Sequence, residues 1–189
     1  MPRYNRRSFL QRVAFMGGGA VLLAGACEKS AERAKAQGAS PQTPVSPQSF
    51  SADEYRTMSE AVDRILPRDA DPGALDANVP AYIDRMLSSP DIVQLKRILT
   101  GGLAALDRRA QRGFGRRFTD LGDADQDMLL ADFKDARPGS GEARFFETLV
   151  FLTMEGFLGD PSYGGNHNKV GWALVGFDVH APSPGHKGH

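Results

Sequence analysis

The chain has 189 residues, enough for one domain with extensions and for a sizeable buried core. Its 23 basic residues balance its 23 acidic ones, but Arg3, Arg6, Arg7 and Arg12 lie in the N-terminal leader; residues 27–189 carry 19 against 23, a net charge of −4 that argues against a nucleic-acid partner. A lone cysteine, Cys27, excludes an internal disulfide, a four-cysteine metal site and a Cys-x-x-Cys-His haem attachment, so any associated haem belongs to another subunit.

Residues 1–26 read as a leader. Asn5-Arg6-Arg7-Ser8-Phe9-Leu10-Gln11 sets two arginines ahead of a Phe-Leu pair, and a glycine-diluted apolar run follows from Val13 to Ala26. This is the layout of a twin-arginine export signal, with Arg6, Arg7, Phe9 and Leu10 as its signal residues. An ordinary amphipathic helix with a basic start is the bland alternative, but the run shows no polar face. The expected route is the twin-arginine translocase and the expected destination the periplasm. Two endings of the leader stand open. Cys27 follows Leu23-Ala24-Gly25-Ala26 as in a degenerate lipoprotein box, which would add a lipid anchor to a membrane; Ala24-Gly25-Ala26 and Ala34-Lys35-Ala36 also fit ordinary cleavage. Residues 27–49 are rich in Ala, Ser, Gln and Pro and lack an apolar period, which reads as a disordered tether reaching about 25 Å.

From Phe50 the pattern becomes helical. Ser51-Ala52-Asp53-Glu54 is a capping box, and Tyr55, Met58, Val62, Ile65 and Leu66 recur at helical spacing, predicting a first helix over Ala52–Leu66. Residues 67–78 form a proline-containing loop. Its Asp69, Asp71 and Asp76 invite a calcium reading, but the spacing fits no EF-hand and such carboxylates are more often simply solvated. Asn78 is placed to cap a second helix bearing Tyr82, Ile83, Met86 and Leu87. A third runs from Asp91 to Gln111 with a stripe of Ile92, Leu95, Leu99, Leu103, Leu106 and Ala110. Gly101-Gly102 inside it costs around 1 kcal/mol per glycine, which close helix packing or a kink explains. Gly113-Phe114-Gly115 lacks a third glycine and a preceding strand, so it reads as a loop, not a nucleotide fingerprint. The arginines at 108, 109, 112, 116 and 117 suit either a solvated helix end or an acidic partner. Leu121 with Gly122 and Asp123 starts a fourth helix whose apolar side is Met128-Leu129-Leu130 with Phe133.

The most informative stretch is Glu142–Phe177. Its first half carries Phe145, Phe146, Leu149, Val150, Phe151, Leu152, Met154, Phe157 and Leu158 on almost every side of a helix, which demands burial by the domain, by a partner, or by both. It breaks at Gly159-Asp160-Pro161, passes through Tyr163-Gly164-Gly165-Asn166 and closes on Gly171-Trp172 and Phe177, a segment that either seals the domain's own core or forms an ordered binding loop. The fold class is all-α: over residues 50–177, an irregular bundle of about five helices with an extended Gly/Pro-rich C-terminal wrap, followed by a flexible tail at 178–189.

No catalytic, cofactor-binding or metal-ligating set emerges. His167, His180, His186 and His189 match no structural zinc spacing, and there is no Gly-x-Ser-x-Gly elbow, phosphate loop or His-Glu-x-x-His. Glu147 and Glu155 on the apolar helix are expected to pair with an arginine or cap a backbone amide.

The long apolar helix followed by Gly159-Asp160, Pro161-Ser162-Tyr163-Gly164-Gly165-Asn166, Val170-Gly171-Trp172 and Gly176-Phe177 resembles subunit 3 of the gluconate 2-dehydrogenase family. Upstream pieces match as well: Leu66-Pro67-Arg68-Asp69, Pro72-Gly73-Ala74, Val79 to Asp84, Gly102-Leu103 and Phe118-Thr119-Asp120-Leu121. The resemblance implies a small accessory subunit beside a large FAD-dependent dehydrogenase of sugars, sugar acids or polyols, with FAD in that partner and haem c in a cytochrome c subunit. It implies that the chain has no reaction of its own, aids maturation of the flavoprotein and lends it a leader. The expected contact residues are Phe146, Val150, Phe157, Pro161, Tyr163, Gly164, Gly165, Asn166 and Trp172. The rival reading is a self-sufficient tethered helical lipoprotein with a pocket lined by Tyr163, Asn166, His167 and Trp172.

Overall fold

The structure, a computed structural model, describes residues 47–178. The export signal, Cys27 and the histidines of the tail lie outside the described residues. The chain divides into two units, Met1–Val45 with Asp178–His189, and Ser46–Phe177; the helices of the described residues belong to the second. Among the described residues there are six α-helices and no strand, so the all-α expectation holds.

Helix α1 (Ala52–Ile65) starts on the capping box: the Ser51 hydroxyl accepts from the Glu54 amide at 3.3 Å, and the Glu54 carboxylate accepts from the Ser51 amide at 2.8 Å. Thr57, Met58, Ala61 and Val62 form its buried stripe, and Leu66 closes it as the C-cap. Helix α2 (Val79–Met86) begins differently from expectation. Asn78 adopts a left-handed conformation, φ 58°, and makes no side-chain cap; its amide instead donates to the Gly164 oxygen at 3.3 Å.

A three-ten turn, Pro90–Ile92, leads into α3 (Val93–Phe114). The helix continues through Gly113 and Phe114, which the sequence places in a loop, and stops at Gly115 with φ 68°, where the Gly115 amide bonds Gln111 O at 3.0 Å. One glycine in the left-handed region ends a helix better than an open glycine within it. Helix α4 (Asp123–Lys134) buries Gln126, Leu129, Leu130 and Phe133, while Met128 is 50 % exposed. Three consecutive residues span 200° of a helix and cannot all face inward.

Helix α5 (Gly141–Leu158) is the axis of the unit, touching each of the other five helices. Ser140 caps it by accepting from the Ala143 amide at 3.1 Å. Gly102 explains how α3 and α5 approach: a β-carbon there would collide with the Phe145 ring, so close packing, not a kink, accounts for that glycine. Phe145 then meets Phe133 edge-on, 5.8 Å between centroids. Gly101 has open space around it. The C-terminal wrap is itself partly helical, with three-ten turns at Pro161–Tyr163 and His167–Lys169 and a short α6 (Val170–Val175).

Candidate partner-binding surface

An α-helix leaves its last carbonyls without intrahelical partners. At the end of α5 the wrap supplies them. The Gly159 amide bonds Glu155 O at 2.7 Å, the Asn166 amide bonds Gly156 O at 2.6 Å, and the Trp172 indole N–H donates to Leu158 O at 2.7 Å. The Asn166 side chain completes the set, donating through Nδ2 to Gly159 O and accepting through Oδ1 from the Gly171 amide, both at 2.9 Å. Gly165 and Gly171 approach the Gly156 and Phe157 carbonyls so closely that a β-carbon at either would clash with them. The Tyr-Gly-Gly-Asn and Gly-Trp blocks therefore form a C-terminal cap for the central helix. The His167 amide, bonding Ala77 O at 3.1 Å, ties the same segment to the start of α2.

This cap redistributes the expected contact residues. Phe157 and Asn166 are fully buried and Gly165 is buried with them, so all three present no surface: Phe157 fills the core, and Asn166 spends its amide on its own backbone. Phe146, Val150, Pro161, Gly164 and Trp172 are half-buried, and Tyr163 is 68 % exposed. The pocket of the rival reading does not assemble, because the Asn166 amide and the Trp172 N–H that would face a ligand are already bonded inward.

What faces outward is aromatic. Phe151, expected to be buried on the apolar helix, is 64 % exposed, with Glu147 and Glu155 one turn to either side. Met154 and Leu158, half-buried, continue its strip toward the cap. There Trp172 stacks edge-on with Phe177, 5.1 Å between centroids, and Phe177 is 55 % exposed. The Lys169 ammonium stands 5.9 Å from the Trp172 ring centroid. Among the described residues Glu155 pairs neither with an arginine nor with a backbone amide but faces the Tyr82 hydroxyl; burial first, then that carboxylate, pushes the Tyr82 phenol above its ordinary range. Asp160 accepts from the Ser162 amide at 2.8 Å, which holds its carboxyl below the usual value.

The basic cluster lies elsewhere, at the end of α3. Arg109 pairs with Asp132 at 3.0 Å and Glu142 at 3.6 Å, and Arg117 with Asp53 at 3.1 Å and Asp107 at 3.7 Å, whereas Arg108, Arg112 and Arg116 are exposed. A shallow depression of about 540 Å³ opens there beside Phe114, Met128 and Leu129. In the 67–78 loop, Asp76 accepts from Arg68 and from the Gly73 amide, and Asp69 accepts from the Asp71 amide at 2.8 Å. Among the described residues no three histidine, cysteine or carboxylate side chains are grouped to hold a metal.

One residue with a structural role was given none from the sequence. Asp84, 2 % exposed, accepts from three successive amides, Gln48 at 2.7 Å, Ser49 at 2.8 Å and Phe50 at 3.2 Å. It fastens the start of the domain onto α2. The only signal available was an aspartate on the apolar side of the α2 pattern, between Ile83 and Leu87.

Residues 52–178 match the family model described as gluconate 2-dehydrogenase subunit 3. No curated protein and no solved structure matches the chain.

Proposed function

The chain belongs to the gluconate 2-dehydrogenase subunit 3 family, and from that premise we propose that it is a non-catalytic small subunit of a periplasmic FAD-dependent dehydrogenase of sugars, sugar acids or polyols. It binds the flavoprotein subunit, assists its maturation, and carries it through the twin-arginine translocase. A third, cytochrome c subunit would supply haem c. One observation carries the reading: Phe151, Tyr163 and Phe177, each more than half exposed, stand on the central helix and on the segment that caps it. Large apolar side chains on a backbone this well bonded are ordered before any partner arrives, and little entropy is lost on docking.

The leader supports the escort role. The twin-arginine route, as that signal class implies, transports proteins already folded around their cofactors. Arg6 and Arg7 would serve both chains if the flavoprotein travels bound to this one. Changing both to lysine is expected to strand dehydrogenase activity in the cytoplasm; activity that still reached the periplasm would overturn the escort role. Co-expression with the flavoprotein tests the subunit assignment. The chain alone should be colourless and inactive, and should recover a yellow, active complex with its partner. Turnover of a sugar or polyol by the purified chain alone would end the accessory reading.

A further inference from the structure

The capping segment carries charge as well as aromatic surface. Past residue 26 the chain is acidic, at −4, whereas Gly159–Phe177 is balanced, with one carboxylate, Asp160, and one cation, Lys169. A second cation joins it from α2: the Arg85 guanidinium lies over Gly164, 3.5 Å from where a β-carbon would stand, beside exposed Tyr163. Among the described residues neither Lys169 nor Arg85 makes an ion pair, in contrast to Arg64, Arg68, Arg109 and Arg117, which all do.

The backbone at Lys169 is also unusual. Its φ of 57° puts a long, non-glycine side chain in the left-handed region, directly after Asn168 at φ 55°. That conformation costs on the order of 1 kcal/mol and survives only where surrounding bonds enforce it. Here the Lys169 amide is bound to Asn166 O at 2.8 Å, and the result is an ammonium held over the Trp172 face. Lys169 is also the N-cap of α6, so the turn that places Trp172 fixes where the charge sits.

We infer that Arg85, Tyr163, Lys169, Trp172 and Phe177 form a cationic, aromatic docking edge for a carboxylate-bearing patch on the dehydrogenase subunit. This rests on the reading that the chain docks on that subunit, and adds where it does so and with what chemistry. Tryptophan, tyrosine and arginine are the side chains that most often dominate an interface, and the Arg85 and Lys169 cations favour aspartate and glutamate across the gap over a basic surface. The cluster Arg108, Arg112 and Arg116 at the C-terminal end of α3 is the internal control, since it offers cations of similar exposure without the ordered aromatic cap.

The test measures affinity of the full-length pair at low and high ionic strength. The double variant Arg85→Glu/Lys169→Glu is expected to bind at least about tenfold more weakly and to lose most of the salt dependence of the parent. Lys169→Gly removes the charge while favouring the backbone conformation, so it should keep the parent's melting temperature and still bind several-fold more weakly. Unchanged affinity in both variants, or a loss produced instead by Arg108→Glu/Arg112→Glu, overturns this edge and leaves the accessory role intact. Failure of the unaltered chain to bind the dehydrogenase at all overturns both.

Discussion

The indole N–H of Trp172 donates to the main-chain oxygen of Leu158 at 2.7 Å, fourteen residues back along the chain, and so closes the end of the central helix. Replacing Trp172 by phenylalanine keeps an aromatic ring against Phe177 but leaves that oxygen without its donor. The expected cost is about 1–2 kcal/mol, read as a lower denaturation midpoint at unchanged slope. Asn166→Ala, which removes two side-chain bonds at once, should cost more than Trp172→Phe. Equal stability of Asn166→Ala and the parent would refute the capping role of this segment.

The neighbouring glycines of α3 make a matched pair. Gly102→Ala forces a methyl into the Phe145 ring and is expected to destabilise by about 1–3 kcal/mol. Gly101→Ala meets nothing within 4 Å and should stabilise the helix by about 0.5–1 kcal/mol. Thermal unfolding of the two variants should therefore move in opposite directions from the parent.

Asp84→Asn probes the clamp on the domain's first residues. The asparagine amide would turn donors toward the amides of Gln48, Ser49 and Phe50, which now share the two carboxylate oxygens. A loss of about 2 kcal/mol is expected, with amide exchange at residues 48–50 accelerating far more than exchange in α5. Unaltered protection at those amides would show that Phe50, buried to 6 % exposure, anchors the segment without help.

Acid stability should report on Arg64, which bonds Asp127 through Nε and Nη2 at 2.7 and 2.8 Å and reaches Asp123 at 2.7 Å. The hydrogen bonds from Arg64 hold Asp127 below its ordinary 3.8. A depressed carboxyl stabilises the fold fully above its unfolded value and loses that contribution as pH falls through the folded one. The contribution is therefore intact above about pH 5 and fades below pH 4. Arg64→Met should flatten this part of the acid limb, by well under 1 kcal/mol because Asp127 is about half exposed and screened. A parallel acid limb in the variant would mean that the bridge contributes nothing.

The helices themselves were readable from local pattern. Ser51 and Glu54 marked the first N-terminus, and the spacing of Leu99, Leu103, Leu106 and Ala110 marked the buried face of α3, because capping and amphipathic periodicity act over a few residues. The Tyr163–Trp172 block likewise pointed to the family, since residues 52–178 match its model. Tertiary structure alone decided what those residues do. Asn166 and Trp172 bond carbonyls of a helix that ended several residues earlier, and Asp84 bonds amides 34 to 36 residues away. Likewise, Phe151 and Phe157 look alike in an apolar run, yet one is 64 % exposed and the other buried, because burial depends on which neighbours cover each face. Local sequence specifies backbone preference and periodicity; which donor meets which acceptor, and which aromatic is left for a partner, is set by contacts between segments far apart in the chain.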